Sequence, residues 1–358
     1  METKSRFLLN AVDIFTPQQQ NNWLADGKKA ENLIDSKAWL DSLSPDQRNN
    51  WYRRRDLLER QKSYETLLSQ GVRFVLNEDA DYPPSLAYVE CPPHLLYVKG
   101  NLPAHSLCGI SVIGTRTPTM YGRQMAQCFG SGLAAEGFVV LSGCARGIDA
   151  LAMKAAMDAQ GRVVGVLGTG IDVVYPSENA ALFSQIEKQG ALVSEFAPGA
   201  RPLKHHFPWR NRLISGWALG LLVVEALIRS GTAGTVSWAL QQGKDVFAVP
   251  GPANSEFSAG PHRMIREGAY LVEHPKEIAD FFAEVLGCLR REQERDAEPE
   301  KGCLDPDENE LGLIKEPRQI DELMEITGLN IVELMRQLNR AITEGRAQKH
   351  PGGCYALA

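Results

Sequence analysis

The sequence has no Cys-x-x-Cys pair, and its seven cysteines are scattered at positions 91, 108, 128, 144, 288, 303 and 354. An odd, dispersed set is typical of reduced thiols, so neither a disulfide scaffold nor a zinc site is expected. The longest apolar run, 217–228, has about twelve residues and contains Glu225, which is too short and too polar for a membrane span. Residues 1–15 lack the apolar core of a signal peptide. We therefore predict a cytoplasmic protein without a membrane anchor, metal or cofactor.

The chain also lacks a net positive charge. Its 38 basic and 44 acidic residues give a formal net charge of −6, so no global field attracts polyanions. Any site for nucleic acid or phosphate must therefore be local. A length of 358 residues predicts two or three domains.

The hydrophobic pattern divides the chain into four segments. Residues 1–90 read as amphipathic helices followed by a proline-rich connector, and residues 91–287 alternate short β-rich runs with helix-length segments. That alternation predicts an α/β fold with a doubly wound, Rossmann-like parallel sheet. Residues 288–305 are charged and nearly free of apolar pattern, which predicts a solvated linker. Residues 306–358 combine two helix signals with a glycine-tipped hairpin, a pattern typical of a winged helix.

Four glycine-containing turns follow predicted strands, and one basic segment lies between two of them. The segment 200–213 carries four basic residues, two histidines and two aromatic rings, and it contains no acid. Cations hold phosphates and rings stack on bases, so this composition fits a single-strand groove as well as it fits a solvated loop. Glycine turns at helix starts favour the phosphate-binding interpretation. The residues predicted to bind DNA or phosphate are Gly114, Arg116, Ser142, Gly143, Gly168, Thr169, Arg201, Lys204, Phe207, Arg210, Asn211, Arg212, Ser230, Gly231 and Thr232.

Several enzyme classes are disfavoured by their missing motifs. The turns at 114 and 168 do not match the dinucleotide fingerprint, and the sequence has neither a Walker spacing nor a nucleophile elbow. His205 and His206 lack a third ligand at a recognisable spacing, so we interpret them as loop residues. Asp149, at a helix start, is interpreted as an N-terminal charge rather than a catalyst.

One enzymatic alternative stays open. The turn at 230–235 has the shape of the phosphate loop in Rossmann-like nucleotide hydrolases of the lysine-decarboxylase-like type. Trp238 occupies the position of their glutamate, and an indole cannot do acid–base chemistry. The loop is therefore predicted to bind phosphate without hydrolysis.

The terminal segment is acidic for a DNA-binding domain. Its formal charge is −3, and its second predicted helix offers Arg336 and Arg340 against Glu333. Because duplex binding depends heavily on cationic phosphate contacts, we favour a protein-contact or regulatory role.

Five ordered motifs resemble one family, DNA-processing protein A (DprA/Smf). They are Ser-Val-Ile-Gly-Thr-Arg at 111–116 with Tyr-Gly at 121–122, Leu-Ser-Gly-x-Ala-Arg-Gly-Ile-Asp at 141–149, Gly-Thr-Gly-Ile-Asp at 168–172 with Tyr-Pro at 175–176, Phe-Pro-x-Arg-Asn-Arg at 207–212, and Val-Phe-Ala-Val-Pro-Gly at 246–251. The resemblance spans 64–286, and the helical N-terminus and winged-helix end fit the longer members.

The resemblance implies an extended Rossmann domain with a helical, SAM-like N-terminal domain and a C-terminal winged helix. It also implies a non-enzymatic homodimer, formed through the Rossmann domain, that binds and protects single-stranded DNA and loads RecA on it during natural transformation. By motif position, Arg116 and Lys204 would hold phosphate, the Gly168-Thr169 turn would contact the backbone and Phe207 would meet a base. The chain departs from the family pattern at Met153, where a histidine is usual, and at Pro261-His262, in a region associated with dimerisation.

Overall fold

The structure, a computed structural model, describes residues 1–25, 28–103, 108–283, 318–327, 347–350 and 354–357, with 329, 334, 338 and 341. The chain divides into two compact units, Met1–Leu289 and Arg290–Ala358. Within these described ranges, no helix combines the length and apolar character that crossing a membrane requires. The linker predicted at 288–305 lies outside the described residues.

Six short helices open the first unit and pack around a cluster of rings. Two of them begin with a capping box and a proline in the first turn, at Thr16 and Ser44. Phe15 lies within 4.8–6.0 Å of three tryptophan rings, and Trp51 among them is fully buried. The helices are α1 (Glu2–Ala11), α2 (Pro17–Leu24), α3 (Ala30–Leu33), α4 (Lys37–Ser42), α5 (Pro45–Arg60) and α6 (Ser63–Ser69).

A nine-stranded sheet forms the centre of this unit. The strands are β1 (Val72–Leu76), β2 (Leu95–Gly100), β3 (Gly109–Ile113), β4 (Val139–Ser142), β5 (Val163–Val166), β6 (Ala191–Ser194), β7 (Gly220–Val223), β8 (Asp245–Ala248) and β9 (Tyr270–Leu271). Their order in the sheet is β1-β2-β6-β5-β4-β3-β7-β8-β9. The seven strands β3 to β9 run parallel, whereas β2 pairs antiparallel with β6 and β1 pairs antiparallel with β2.

Helices cover both faces of the sheet, because the parallel strands are apolar on both sides. One core contains buried residues of the helices at 120–135, 148–158, 180–189 and 275–281, and the other contains those of the helices at 206–217 and 231–241. The helices are α7 (Met120–Ala135), α8 (Ile148–Asp158), α9 (Ala180–Gln189), α10 (His206–Trp217), α11 (Gly231–Gln241), α12 (Ala259–Arg266) and α13 (Pro275–Phe281), with 3₁₀ turns at Pro84–Tyr88 and Ser177–Asn179.

The prediction of an α/β fold with a mostly parallel central sheet is confirmed, and the short β-rich runs that alternate with helix-length segments after residue 108 form strands β3 to β8. The segment assigned to a connector contributes β1, which pairs with β2 from Val72 opposite Lys99 to Leu76 opposite Leu95. Strand β9, the edge strand after β8, was not predicted.

The described part of the second unit includes the helix α14 (Ile320–Thr327), helical residues at 334, 338 and 341, and three antiparallel strands, β10 (Arg318–Gln319), β11 (Ala347–His350) and β12 (Cys354–Leu357). The strand order is β10-β12-β11. Leu323, Leu334, Leu338 and Tyr355 are buried in a small core of their own.

Candidate functional site

The carboxyl edge of the sheet carries a narrow cleft of about 50 Å³. Its walls come from the turns after β3, β4 and β5 and from the first turns of α10, because parallel strands bring their following turns to one edge. The residues that line the cleft are Arg116, Gly143, Ala145, Arg146, Tyr175, Pro176, Phe207 and Arg210. Four of the predicted site residues therefore meet here: Arg116, Gly143, Phe207 and Arg210.

Arg116 and Phe207 form the centre of the cleft. The Arg116 guanidinium carbon lies 5.9 Å from the centre of the Phe207 ring, and Arg116 is exposed. Phe207 is half-buried, and its ring centre lies 5.5 Å from that of Tyr175. A cation beside a partly exposed ring can hold a phosphate while the ring receives a base.

Gly168 packs directly against the Phe207 ring. A Cβ atom at position 168 would lie 2.8 Å from Cδ1 of Phe207, a distance shorter than Cβ atoms show to neighbouring heavy atoms in proteins. The turn after β5 therefore requires glycine to admit the ring. Gly168 itself does not line the cleft, so the structure gives it a packing role.

Arg210 is held inside the cleft wall. It is 4% exposed, and its Nη1 donates to the Gly143 carbonyl oxygen, at 3.1 Å, and to the Val166 carbonyl oxygen. Burial lowers the pKa of Arg210, against the opposing effect of the nearby Asp149 carboxylate. Such a cation is positioned by the fold rather than by a ligand.

Asp149 organises the turn after β4 from the first turn of α8. Its Oδ2 accepts hydrogen bonds from the amides of Gly143, at 3.2 Å, and Ala145, at 3.4 Å. Burial raises the pKa of Asp149, partly offset by the Arg210 charge. The interpretation of Asp149 as a structural charge agrees with these contacts.

Arg212 is a correction to the predicted site. It is fully buried, and all five of its N–H groups donate within the protein: to both carboxylate oxygens of Glu195, at 2.6 Å each, and to the carbonyl oxygens of Glu90, Cys91 and Trp209. The prediction that its guanidinium binds phosphate is therefore wrong, because no donor remains for a ligand.

The side chains of Ser142 and Thr169 are also used within the protein, whereas the contact through the Gly168-Thr169 turn stays a prediction. The Ser142 hydroxyl is fully buried and donates to the Val112 carbonyl oxygen, at 2.7 Å. The Thr169 hydroxyl is 2% exposed and donates to the Val173 carbonyl oxygen, at 2.9 Å. Both side chains stabilise turns of the sheet edge and are unavailable to a ligand.

Three further predicted residues are close in sequence to the cleft residues Phe207 and Arg210, but they do not line the cleft. Arg201 and Lys204 are exposed on the loop before α10, and Asn211 is half-buried and accepts a hydrogen bond from Arg210, at 3.2 Å. Gly114 is a packing position, since a Cβ atom there would lie 2.6 Å from Cγ1 of Ile148.

The predicted phosphate loop at 230–235 lies after β7, beside the end of β3. Ser230 precedes α11, and its hydroxyl oxygen is buried without a hydrogen-bond partner among the described residues. Thr232 is buried, whereas a Cβ atom at Gly231 would meet open space. None of the three residues lines the cleft. The Trp238 indole donates to the Pro208 carbonyl oxygen, at 3.2 Å, which fixes α11 to the start of α10.

The sequence prediction missed four cleft residues: Ala145, Arg146, Tyr175 and Pro176. Tyr175 is 41% exposed beside the Phe207 ring, and Arg146 is paired with Glu178, with Nη2 2.7 Å from Oε2. All four missed residues lie within motifs quoted above, at 141–149 and at 175–176, so the motif positions themselves were the available signal.

Fold and site together define an α/β protein whose parallel sheet presents a cationic, aromatic cleft at its carboxyl edge. Residues 73–283 match the family described as DNA recombination-mediator protein A. The chain belongs to this family, and the resemblance found in its motifs is confirmed.

Known relatives agree with this assignment. The chain is 39% identical to Protein Smf of Escherichia coli over 301 residues, covering 81% of this chain and 79% of the relative. It is 37% identical to DNA processing protein DprA of Bacillus subtilis, covering 60% and 73%. The crystal structure of DNA processing protein A from Streptococcus pneumoniae superposes with a TM-score of 0.67 at 32% identity, covering 78% of this chain and 97% of that one.

Proposed function

We propose that this protein binds single-stranded DNA through the cleft between Arg116, Tyr175, Phe207 and Arg210. The observation that carries the proposal is the Arg116 guanidinium 5.9 Å from the Phe207 ring centre, at a sheet edge where such folds bind ligands. The cleft holds a cation for phosphate next to a ring for a base, and its narrowness suits a single strand. The exposed Arg201 and Lys204 add two positive charges on the loop that leads into α10.

The family suggests what this binding serves. We propose that the protein protects incoming single strands, loads RecA on them during natural transformation, and works in the cytoplasm as a DNA-binding protein without enzymatic activity or cofactor. The competing proposal of a nucleotide hydrolase is disfavoured by Trp238, whose indole bonds to Pro208 where that class has a glutamate. Release of a base from nucleoside monophosphates, lost on mutation of 230–235, would support the hydrolase instead.

We also propose the domain roles that the sequence suggested: a SAM-like helical domain and connector at 1–90, an extended Rossmann DNA-binding domain at 91–287, a linker at 288–305 and a winged helix at 306–358. A helix followed by an antiparallel hairpin in the second unit supports the last of these. A chain truncated after 289 should keep most of its single-strand affinity, because Met1–Leu289 is one compact unit that contains the whole cleft.

Homodimerisation through the Rossmann domain is supported by one apolar edge. Tyr270, Leu271 and Phe281 are 43–49% exposed, and the Tyr270 and Phe281 rings lie 4.8 Å apart at the end of the sheet. An exposed edge strand with apolar neighbours is a ready pairing surface.

The proposed binding is tested by measuring affinity for oligothymidine and for duplex DNA at several salt concentrations. Arg116→Ala should weaken single-strand binding and reduce the slope of log affinity against log salt by about 0.7. Arg162→Ala is the matched control, because Arg162 is exposed at the opposite, amino end of β5. Parental affinity and slope in a folded Arg116→Ala protein would place the strand elsewhere.

A further inference from the structure

A second cavity, of about 490 Å³, lies between the N-terminal helices and the carboxyl end of β6. Its volume falls within the range of roughly 300–1,000 Å³ that is usual for small-molecule sites. It shares the start of α10 with the cleft: His206 and Trp209 line the cavity, whereas Phe207 and Arg210 line the cleft. None of the residues predicted to bind DNA lines this cavity.

Flat side chains form much of the cavity wall. Phe15, Phe196, His206 and Trp209 contribute rings, and the Phe196 and His206 rings stack with centres 4.2 Å apart and an interplanar angle of 19°. Three amides also line the cavity, those of Asn10, Gln20 and Asn21. The first two are hydrogen-bonded within the protein at both nitrogen and oxygen. Asn21 donates to the Pro92 carbonyl oxygen, at 2.9 Å, and its Oδ1 has no partner among the described residues. Stacked rings beside this amide oxygen match the two features of a nucleobase, an apolar face and an edge of hydrogen-bonding groups.

The charge of the lining argues against a phosphate ligand. Among the described residues that line the cavity, none is a lysine or an arginine. Its acids are Asp13 and Glu195, and the Glu195 carboxylate is neutralised by the buried guanidinium of Arg212. A neutral, planar heteroaromatic group is therefore the ligand that this lining accommodates.

We propose that this cavity receives a base of the same DNA strand whose backbone is held at the cleft. The proposal rests on the proposed function, and it adds a second base site to it. The chain order supports the connection: the exposed Lys204 directly precedes His205 and His206 of the cavity wall, and Phe207 of the cleft follows at once. A strand that leaves the cleft along this loop would pass the mouth of the cavity.

The test places a bulky side chain into the cavity by substitution of a residue of α2. Asn21 lines it, and Asn22 is the exposed neighbour on the same helix that does not. We compare the parent, Asn21→Trp and Asn22→Trp for affinity toward oligothymidines of about 4 to 20 nucleotides, a range that spans the usual single-strand sites. Phe196→Ala, which removes the stacked ring, provides a second variant should Asn21→Trp fail to fold by circular dichroism.

The expected result depends on oligonucleotide length. Asn21→Trp and Phe196→Ala should weaken binding of the longer oligonucleotides about five- to hundredfold, the value of one stacked base, and leave the shortest unaffected. A single 2-aminopurine, moved along a long oligothymidine, should be quenched by the parent and by Asn22→Trp at one position at which Asn21→Trp leaves it bright.

Two results would overturn the proposal. Equal affinities of parent, Asn21→Trp and Phe196→Ala at every length would show that no base enters the cavity. Binding of free 2-aminopurine riboside that Asn21→Trp abolishes, without any effect on oligonucleotides, would assign the cavity to a free nucleoside instead. Failure of the proposed function gives a different outcome, because the parent itself would then bind no oligonucleotide of any length.

Discussion

Arg212 and Glu195 form a buried two-point ion pair, with both terminal guanidinium nitrogens 2.6 Å from the carboxylate oxygens. The same guanidinium donates to the carbonyl oxygens of Glu90 and Cys91, at 2.9 Å each. One side chain thus fixes α10 to the end of β6 and to the segment before β2. The start of α10, which carries Phe207 and Arg210, takes its position from this pair.

We predict that Arg212→Ala lowers the free energy of unfolding by about 3–5 kcal/mol, because it leaves the Glu195 carboxylate buried without a partner. Arg212→Lys should recover only part of this, since an ammonium cannot make the two-point contact. Urea unfolding of the purified proteins measures both effects. Arg201→Ala, an exposed arginine of the same segment, should change stability by no more than about 0.5 kcal/mol. Parental stability of Arg212→Ala would refute the assigned role.

The central sheet could be predicted because its signal is local. Each of β3 to β8 is a short apolar run, which follows from burial on both faces. Strands β1 and β9 gave weaker signals for physical reasons. Strand β1 lies at the sheet edge beside proline-rich sequence, and β9 has two residues that are both about half exposed. Their membership in the sheet depends on partners elsewhere in the chain.

The site could be predicted only in part, because residue type does not determine burial. Arg116 and Arg212 both occupy motif positions of the family, yet Arg116 is exposed and Arg212 is fully buried. Arg212 is held by Glu195 and by two carbonyl groups that lie more than 100 positions away along the chain. No local pattern contains that information. Arg116 and Phe207, which the sequence predicted as phosphate and base contacts, do lie together at the carboxyl edge.

Phe207→Ala should weaken single-strand binding by about 1–3 kcal/mol through lost base stacking, and it should leave the salt slope unchanged because no charge is removed. Titration of oligothymidine at several salt concentrations separates this signature from that of Arg116→Ala. Tyr88→Ala is the control, since Tyr88 is 89% exposed and does not line the cleft. A reduced slope in Phe207→Ala, or an equal loss in Tyr88→Ala, would argue against stacking at Phe207.

Two glycines at helix starts should respond to alanine with opposite signs. At Gly122 in α7, a Cβ atom would lie 2.0 Å from Oε2 of the buried Glu225, which accepts the Thr119 amide, at 2.9 Å. At Gly234 in α11, it would meet nothing within 4 Å. Gly122→Ala should therefore cost about 1–3 kcal/mol through overpacking, whereas Gly234→Ala should add up to about 1 kcal/mol through helix propensity.

Urea unfolding of the two glycine variants beside the parent measures this contrast. Gly234→Ala also tests whether the loop at 230–235 binds DNA. A DNA strand whose phosphates approach this loop closely would bind less tightly once a methyl group is added. Destabilisation by both variants would contradict the open space at Gly234, and destabilisation by neither would contradict the close packing at Gly122.

His94 is a buried histidine between the N-terminal helices and the sheet. Its Nε2 lies 2.5 Å from Oε1 of Gln20, whose amide donates to the Phe15 carbonyl oxygen, at 3.0 Å. Gln20 therefore accepts at Oε1, which places the proton of the neutral imidazole on Nε2. Burial, reinforced by the Arg6 charge, lowers the pKa of His94 to about 3.

This lowered pKa predicts a pH dependence of stability with a defined sign. The unfolded chain binds a proton at His94 near pH 6.5 and the folded chain only near pH 3, so the unfolded state holds more protons between these values. The contribution of His94 is therefore fully present above about pH 6.5, and it is lost by up to about 1.4 kcal/mol per pH unit as the pH falls toward 3. His94→Gln removes this titration, so the difference in unfolding free energy between parent and variant should shrink steadily from pH 7 to pH 5. Urea unfolding at pH 7, 6 and 5 measures it, and every other titrating group is common to both proteins. Parallel pH profiles would show that His94 keeps an ordinary pKa in the folded protein.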